Sequence, residues 1–258
     1  MTLRSLLVCG MLAIAACKSG SGSAMPDLGA APADPTLSAA RVDSMWDQGV
    51  KDFRKGSYHS ASETFQRLLL EFNPGDPRIP QAHFYLGESY FGAGSELQAV
   101  REFRKVSDDF PSNPLAPDAL FRAGDAYAVL WHKPQLDPTY GKSAMATYTE
   151  LLNRYPDSPA AAKGRVELAE LANKFAYKEW ETAKFYLRNK MYDSAILYMR
   201  ALVAEYPNTP SAQRALAQLV VSYRNLGYIE DAEEMCGALR QFHPDTKNLA
   251  KLCPESGG

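Results

Sequence analysis

The chain has 258 residues, and 46% of them are hydrophobic, so it is long enough and apolar enough to bury a substantial core. Its 28 Lys and Arg nearly balance 30 Asp and Glu, which argues against nucleic acid as a partner because no strong positive field would attract phosphate. Tyr and Phe are plentiful, whereas the alternation typical of strands is hard to find. The composition therefore predicts an all-α protein.

Residues 1–16 have the organisation of a secretory signal peptide, with an apolar stretch too short to cross a bilayer as a helix. The stretch ends in Ala15-Ala16-Cys17, which resembles the lipobox of bacterial lipoproteins. That resemblance implies a covalent lipid on Cys17 and a membrane anchor with no transmembrane helix. Because Lys18 follows, and not the Asp associated with inner-membrane retention, it also implies delivery to the outer membrane. The alternative is an ordinary signal peptide with an incidental Cys, as Cys9 is.

The segment 17–40 is rich in Ser, Gly, Ala and Pro and contains hardly any large apolar side chain. Such a composition cannot form a packed core. It predicts a flexible tether between the lipid and the folded part of the chain.

Past the tether, one spacing recurs five times. Gly87 is followed by Ala99 twelve residues later, by Phe103 after four more and by Pro111 after another eight. Two copies repeat these intervals without a gap, the first has its proline one residue late, and the third has eight extra residues. These copies contain Ala183, Ala195, Met199 and Pro207; Val220, Ala232, Cys236 and Pro244; Gly49, Ala61, Phe65 and Pro74; and Gly124, Ala144, Tyr148 and Pro156.

The spacing predicts a helical hairpin in each copy. Two small residues let the helices approach closely, and the large residue one turn later fills the space between hairpins. Each proline ends the second helix, and Gly56, Gly94 and Gly227 mark tight turns between the helices. With Leu86-Gly87 and Tyr90, the pattern resembles the tetratricopeptide repeat, which implies a solenoid of five stacked hairpins. The solenoid is predicted at 41–250, with hairpins at about 41–75, 80–113, 116–158, 160–209 and 211–246, followed by a tail at 251–258.

Two departures from the repeat carry their own predictions. The extra residues of the third copy, Trp131 to Tyr140, contain Pro134 and Pro138 and predict a loop standing out from the stack. The run from Ala160 to Asn189 has no helix breaker except a single glycine, so it predicts one long helix.

Three passages resemble the BamD family of outer-membrane assembly lipoproteins. They are the lipobox with its polar tether, the third copy with LDPTYGKSAMATYTELLNRYPDS, and the segment AYKEWETAKFYLRNKMYDSAILYMRALVAEYPNTP. The similarity covers roughly residues 40–244, but the tether is longer and richer in Ala than the family pattern, and Cys253 and the ending PESGG do not match it.

This resemblance implies a scaffold anchored by lipid to the periplasmic face of the outer membrane. Its N-terminal repeats would contact unfolded outer-membrane proteins, and its C-terminal repeats a soluble domain of a BamA-like β-barrel insertase, beside other lipoproteins of the machine. One alternative is a periplasmic tetratricopeptide lipoprotein that coordinates peptidoglycan synthesis or envelope maintenance. Another is a lipoprotein of an enzyme complex or secretion system, since a fold fixes no function.

The sequence gives no reason to expect an enzyme, a metal or a cofactor other than the lipid. It has no phosphate-binding loop, zinc-ligand spacing, nucleophile elbow or dinucleotide fingerprint. The four histidines stand in different copies without a partner at ligand spacing, which predicts surface or packing roles for His59, His83, His132 and His243.

A candidate client groove comes from aromatic residues that the repeat does not demand. Four of the five copies place a large ring three residues before the small residue of the first helix, and two carry another ring seven residues later on the same face. The tetratricopeptide resemblance places this face on the concave side, where rings would suit an extended aromatic and apolar peptide. The alternative is that these rings pack between hairpins. We call the six residues the ring track: Trp46, Phe53, Phe84, Phe91, Phe121 and Trp180.

Three further residues bear on ligand binding and stability. Arg54, next to the ring track, is a candidate partner for a peptide carboxylate, or else a solvated side chain. Cys236 and Cys253 are a candidate disulfide because the periplasm is oxidising, and the alternative is that Cys236 is simply buried in the last hairpin.

Overall fold

The computed structural model describes residues 35–254, and their regular secondary structure is entirely helical, which confirms the all-α prediction. From Ala40 onwards, the described residues belong to one compact unit. The helices are α1 (Pro35–Arg54), α2 (Tyr58–Glu71), α3 (Ile79–Gly92), α4 (Glu96–Asp109), α5 (Ala116–Leu130), α6 (Thr139–Arg154), α7 (Pro159–Arg188), α8 (Tyr192–Glu205), α9 (Pro210–Leu226), α10 (Ile229–Phe242) and α11 (Leu249–Leu252).

The helices form five hairpins, numbered 1 to 5 from α1–α2 to α9–α10, as the repeat spacing predicts. From α2 to α10, each helix packs against the next, and the first helices of hairpins 3, 4 and 5 also touch their neighbours in the stack. The predicted C-terminal boundary of the tether, at residue 40, was wrong, because α1 begins at Pro35 and residues 35–40 are helical. Proline is well tolerated in the first turn of a helix, and Ala39 and Ala40 favour helical backbone. Residues 17–34 lie outside the described part of the chain.

The repeated small residue of each first helix is where the two helices of a hairpin approach most closely. A methyl group added to Gly87 would lie 2.7 Å from the ring of Phe103, and one added to Gly49 would lie 3.0 Å from the ring of Phe65. Gly124 lies under the ring of Tyr148 in the same way. These rings are fully buried. The spacing therefore encodes a small residue covered by a large one, as predicted.

The hairpin turns follow the glycine prediction, with one difference in hairpin 4. Gly56, Gly94 and Gly227 have φ of 76°, 74° and 79°, in the left-handed region that glycine adopts without cost. At the equivalent position of hairpin 4 stands Lys190, with φ of 58°. In this left-handed region the backbone of any residue that carries a Cβ atom is strained.

The second helices end where the prolines predict. In hairpins 2 to 5, the last helical residue lies immediately before the residue that precedes the proline. These preceding residues are Phe110, Tyr155, Tyr206 and His243, whose backbones leave the helical region.

The insertion of hairpin 3 is a loop, as predicted. The prediction that this loop stands out from the stack was wrong. Trp131 is fully buried, 4.2 Å from the ring of Phe175. Two lysines of α7 hold the loop down, since Lys174 donates to the carbonyl of Trp131 and Lys178 to that of Leu136, the latter at 3.1 Å. The buried indole and these hydrogen bonds fold the loop back onto α7, while His132 remains exposed.

The long helix predicted from Ala160 to Asn189 is α7, which spans Pro159–Arg188. Ser158 caps its start by accepting a hydrogen bond from the backbone of Ala161 at 3.0 Å. Because α7 contacts α5, α6, α8 and α9, it joins hairpins 3, 4 and 5.

The described C-terminal residues fold back onto hairpin 5. The structure joins Cys236 of α10 to Cys253 by a disulfide, and Cys253 is buried. Arg224 and Arg240 donate to the carbonyls of Leu252 and Cys253 at 2.6 and 2.8 Å. These bonds hold α11 over the last hairpin, a cap of the kind that repeat proteins need at their ends.

Candidate client-binding surface

The ring track lies on the first helices, and its rings are half-buried. In hairpins 1 to 3, the ring that precedes the small residue contacts the large ring of the second helix of the same hairpin. The centroid distances are 5.8 Å for Trp46 and Phe65, 5.6 Å for Phe84 and Phe103, and 5.7 Å for Phe121 and Tyr148. These three rings thus contribute to packing within their own hairpins and also keep part of their surface accessible.

The remaining rings of the track are held differently. Phe53 packs against Tyr58 and Tyr85, at 5.8 and 5.4 Å. Phe91 lies under the guanidinium of Arg122, which is 4.4 Å from the ring centroid. Trp180 packs from α7 against the core that hairpins 3 to 5 share.

A network of charged side chains covers the middle of the ring track. Arg122 binds Glu88 of α3 at 2.9 Å and Asp125 at 2.7 Å. Burial opposes the charge of Arg122, but these carboxylates outweigh burial and raise its pKa above the ordinary value. The hydroxyl of Tyr148 donates to Asp125 at 2.7 Å, and burial together with that carboxylate raises the pKa of Tyr148.

A second cation lies over the ring track beyond Arg122. The ammonium of Lys163 is 5.7 Å from the ring centroid of Phe121. In the middle of the stack, a client would therefore have to displace Arg122 and Lys163, or bind them, before it reached the rings of Phe91 and Phe121.

Hairpin 2 contains a half-buried contact between a histidine and a carboxylate of its two helices. The Nδ1 atom of His83 lies 2.7 Å from a carboxylate oxygen of Glu102, and Lys105 donates to the same carboxylate at 2.9 Å. Burial raises the pKa of Glu102, but the hydrogen bonds from His83 and Lys105 outweigh it and hold that pKa below the ordinary value. His83 thus has the packing role predicted for it.

In hairpin 1, the C-terminal half of α1 and the residue that follows the helix border a cavity of about 450 Å³. Trp46 of the ring track and Val50 form its apolar part. Arg54, the candidate carboxylate partner, lies on its rim. We call this site the basic pocket, and its residues are Trp46, Asp47, Val50, Lys51, Arg54 and Lys55.

A second cavity, of about 380 Å³, lies between the hairpin 3 loop and α7. Pro134 of the loop and Tyr177, Phe185 and Tyr186 of α7 line it. The sequence did not predict this cavity, because it exists only where the inserted loop folds back onto the long helix. In residues 35–254, no group of three or more His, Cys, Asp or Glu side chains is arranged to hold a metal ion.

Five stacked hairpins, with half-exposed rings along the first helices of hairpins 1 to 4, define a helical-repeat protein of the tetratricopeptide type. The sequence profile of the YfiO family, outer membrane lipoproteins, matches residues 38–237. This match spans most of the chain, so the chain belongs to the YfiO family of outer membrane lipoproteins.

Several curated relatives are named outer membrane protein assembly factor BamD. The protein of Rickettsia prowazekii is 24% identical over 245 residues, which are 95% of this chain and 92% of that protein. The protein of Vibrio cholerae is 36% identical over 108 residues, which are 42% of this chain and 44% of that protein. The protein of Xylella fastidiosa strain Temecula1 is 24% identical over 214 residues, or 79% of this chain and 73% of that protein.

The membrane anchor predicted at Cys17 lies outside the described residues. Within residues 35–254, none of the helices combines the length and the apolar character that a membrane crossing requires.

Proposed function

We propose that this chain is the periplasmic scaffold lipoprotein of the machine that assembles β-barrel proteins in the outer membrane. The observation that carries the proposal is membership of the YfiO family together with relatives named outer membrane protein assembly factor, one of them aligned over 95% of this chain. The chain would bind unfolded outer-membrane proteins and a BamA-like barrel insertase, and it would act by holding partners and not by catalysis.

The fold suits this task because stacked hairpins expose a long surface without needing a single deep cavity. Rings such as Trp46 and Phe84 are held by their neighbours, so a client that packs on them gains buried apolar area while little side-chain entropy is lost. Terminal strands of barrel proteins are rich in aromatic and apolar side chains. The N-terminal hairpins would take such segments, and the C-terminal hairpins would dock on the insertase.

The proposal places the protein on the periplasmic face of the outer membrane, anchored by lipid on Cys17. Residues 17–34 would then separate the lipid from α1. A second acyl chain strengthens such an anchor, since one chain alone gives only marginal membrane binding.

Co-purification from mild-detergent extracts tests the proposal. With an affinity tag at the C-terminus, we expect a β-barrel insertase to be recovered in stoichiometric amount together with other lipoproteins of the machine. The control is a tagged unrelated domain fused to residues 1–40, which reports proteins extracted merely with the same membrane. Recovery of peptidoglycan-synthesis or envelope-maintenance proteins without an insertase would contradict the proposal.

A further inference from the structure

The short helix α11 depends on contacts with hairpin 5 to keep its place. A helix of four residues has too few internal hydrogen bonds to be stable alone. Leu249 and Leu252 are half-buried against the apolar core that hairpins 3 to 5 share. Two exposed arginines add hydrogen bonds, from Arg224 to the carbonyl of Leu252 at 2.6 Å and from Arg240 to that of Cys253 at 2.8 Å. The disulfide is the one covalent tie among these contacts.

A bend in the backbone separates α11 from the anchored part of the chain. Gln213 of α9 donates to the hydroxyl of Thr246 at 2.9 Å, and the Nε2 atom of His243 lies 2.7 Å from the carbonyl of Pro207. Asn248 follows with φ of 60°, in the left-handed region that Asn tolerates better than most residues. The chain is thus anchored up to Thr246, and a change of backbone angles at Asn248 alone moves α11 away from the hairpin.

The two sulfur atoms of the disulfide have different surroundings. Cys236 belongs to α10, and a guanidinium nitrogen of Arg224 lies 4.0 Å from its Sγ atom. A positive charge near a cysteine sulfur favours the thiolate form. Cys253 directly follows α11 and precedes the exposed Pro254. Cys236 is therefore the better leaving thiolate, and Cys253 is the sulfur that a movement of α11 would expose.

We propose that the disulfide between Cys236 and Cys253 is a dithiol–disulfide exchange site that releases α11. The reactant is a protein dithiol of the thioredoxin type, outside the cytoplasm. One of its thiolates attacks the Sγ atom of Cys253, the S–S bond breaks, and Cys236 leaves as a thiolate beside Arg224. The second thiol of the reactant then attacks the mixed disulfide and frees Cys253. Two electrons and two protons pass to this chain, so that the dithiol becomes a disulfide and the chain gains two thiols.

The attack requires a local opening, because Cys253 is only 2% exposed. Such an opening breaks the hydrogen bonds that Arg224 and Arg240 donate from the surface, and openings of this kind cost much less free energy than global unfolding. The disulfide holds α11 close to the hairpin during the opening, and its reduction makes the opening persist.

Release of α11 changes the end of the solenoid. In the disulfide form α11 caps hairpin 5, whereas in the dithiol form the surface under Leu249 and Leu252 loses its cover. The supply of protein dithiols then decides whether the stack is capped. This inference rests on the proposed periplasmic location but not on the proposed partners.

Limited proteolysis of the mature chain, residues 17–258, measures the release. The protein carries Cys17→Ala, so that Cys236 and Cys253 are its only cysteines. A reduced thioredoxin is added without denaturant, thiols are counted by alkylation and mass spectrometry, and trypsin cleavage after Lys251 of α11 is followed. We expect two thiols to appear and this cleavage to become roughly tenfold faster, because a protease cleaves a segment only after it has opened.

Two controls separate release of α11 from a general loosening. Cys253→Ser cannot form the disulfide, so its cleavage after Lys251 should be fast with or without the dithiol. Cleavage after Lys190, an exposed residue in the turn of hairpin 4, reports the rest of the fold and should be the same in all samples.

A second experiment assigns the roles of the two sulfur atoms. A thioredoxin whose second cysteine is replaced by Ser stops at the mixed disulfide, which peptide mass spectrometry should find on Cys253. In the reduced protein, the pH dependence of alkylation reports the thiolate of Cys236. Arg224→Gln should move the midpoint of this dependence to higher pH, whereas Arg214→Gln, at an exposed position of the same helix, should leave it unchanged.

A disulfide that resists the dithiol until urea unfolds the whole protein would overturn the exchange site. Reduction that leaves cleavage after Lys251 unchanged would also overturn it. A mixed disulfide on Cys236, or an unchanged midpoint in Arg224→Gln, would contradict the direction of attack. Co-purification of the insertase tests the proposed function separately, so neither result decides the other.

Discussion

Replacing Gly87 by Ala tests the close approach on which every hairpin depends. A Cβ at this position would lie 2.7 Å from the ring of Phe103, which is fully buried and cannot swing into solvent. Phe103 is held by Phe84 at 5.6 Å and by Arg122 at 5.9 Å, so moving its ring disturbs these neighbours as well. Overpacking of this kind costs about 1–3 kcal/mol.

The expected change in the free energy of unfolding combines two opposing effects. Ala is favoured over Gly inside a helix by about 1 kcal/mol, which partly offsets the overpacking. Gly87→Ala should therefore leave the protein between unchanged and about 2 kcal/mol less stable.

Gly237→Ala in α10 is the matched control, because a Cβ added there meets no atom within 4 Å. This control should be stabilised by about 0.5–1 kcal/mol, since it gains helix propensity without overpacking. The difference between the two variants isolates the cost of the close approach. A difference of about 2 kcal/mol corresponds to about 4–8 °C in Tm for a chain of this size. Thermal and urea denaturation followed by circular dichroism measure it, and equal shifts of the two variants would refute the small-under-large packing.

Four further predictions address the turn at Lys190, the C-terminal tail, the half-buried contact of Glu102 with His83, and the lipid anchor. Lys190→Gly should raise the free energy of unfolding by up to about 1 kcal/mol because it removes left-handed strain; an unchanged or lower Tm would contradict this. Replacing Cys236 and Cys253 together by Ala should lower the free energy of unfolding, measured by urea denaturation, by about 3 kcal/mol. Two free thiols in the wild-type protein, denatured without a reductant, would exclude the disulfide. Glu102→Gln should destabilise the protein at neutral pH, but the difference should shrink as the pH falls from about 4.3 through the lowered folded-state pKa; a constant difference between melts at pH 7 and pH 3 would argue against the pair. Cys17→Ala should leave the protein soluble or unprocessed, whereas an unmodified N-terminal peptide in the mass spectrum of the wild type would exclude lipidation.

The sequence predicted the fold well where the structure repeats. The small and large residues of a hairpin, such as Gly87 and Phe103, lie at a fixed spacing, so their contact follows from helix geometry alone. The prolines ended the second helices as expected, and α7 was placed to within one residue at each end.

The predictions that failed concern the parts of the chain that depart from the repeat. The burial of Trp131 depends on Phe175, which is more than forty residues away in the chain, so no local pattern predicts it. Glycine positions do not predict the turn at Lys190, because this turn contains no glycine, although its register in the repeat matches that of Gly227 and indicates the same turn.

The candidate site was predicted only in outline. Spacing placed the rings on one face of the first helices, but it could not show that cations cover Phe91 and Phe121. Nor could it show that Trp46 borders the basic pocket with Arg54. Such arrangements depend on which side chains meet across helices, and hydrophobic periodicity does not specify these contacts.

Photo-crosslinking in cells tests whether the first helices hold unfolded outer-membrane proteins. A photoreactive phenylalanine would replace Trp46 on α1 or, as the control, Leu70 on α2 of the same hairpin, whose side chain is 87% exposed. We expect position 46 to crosslink to newly synthesised barrel proteins and position 70 not to do so. Equal crosslinking at both positions, or none at position 46 in a folded, correctly located protein, would contradict it.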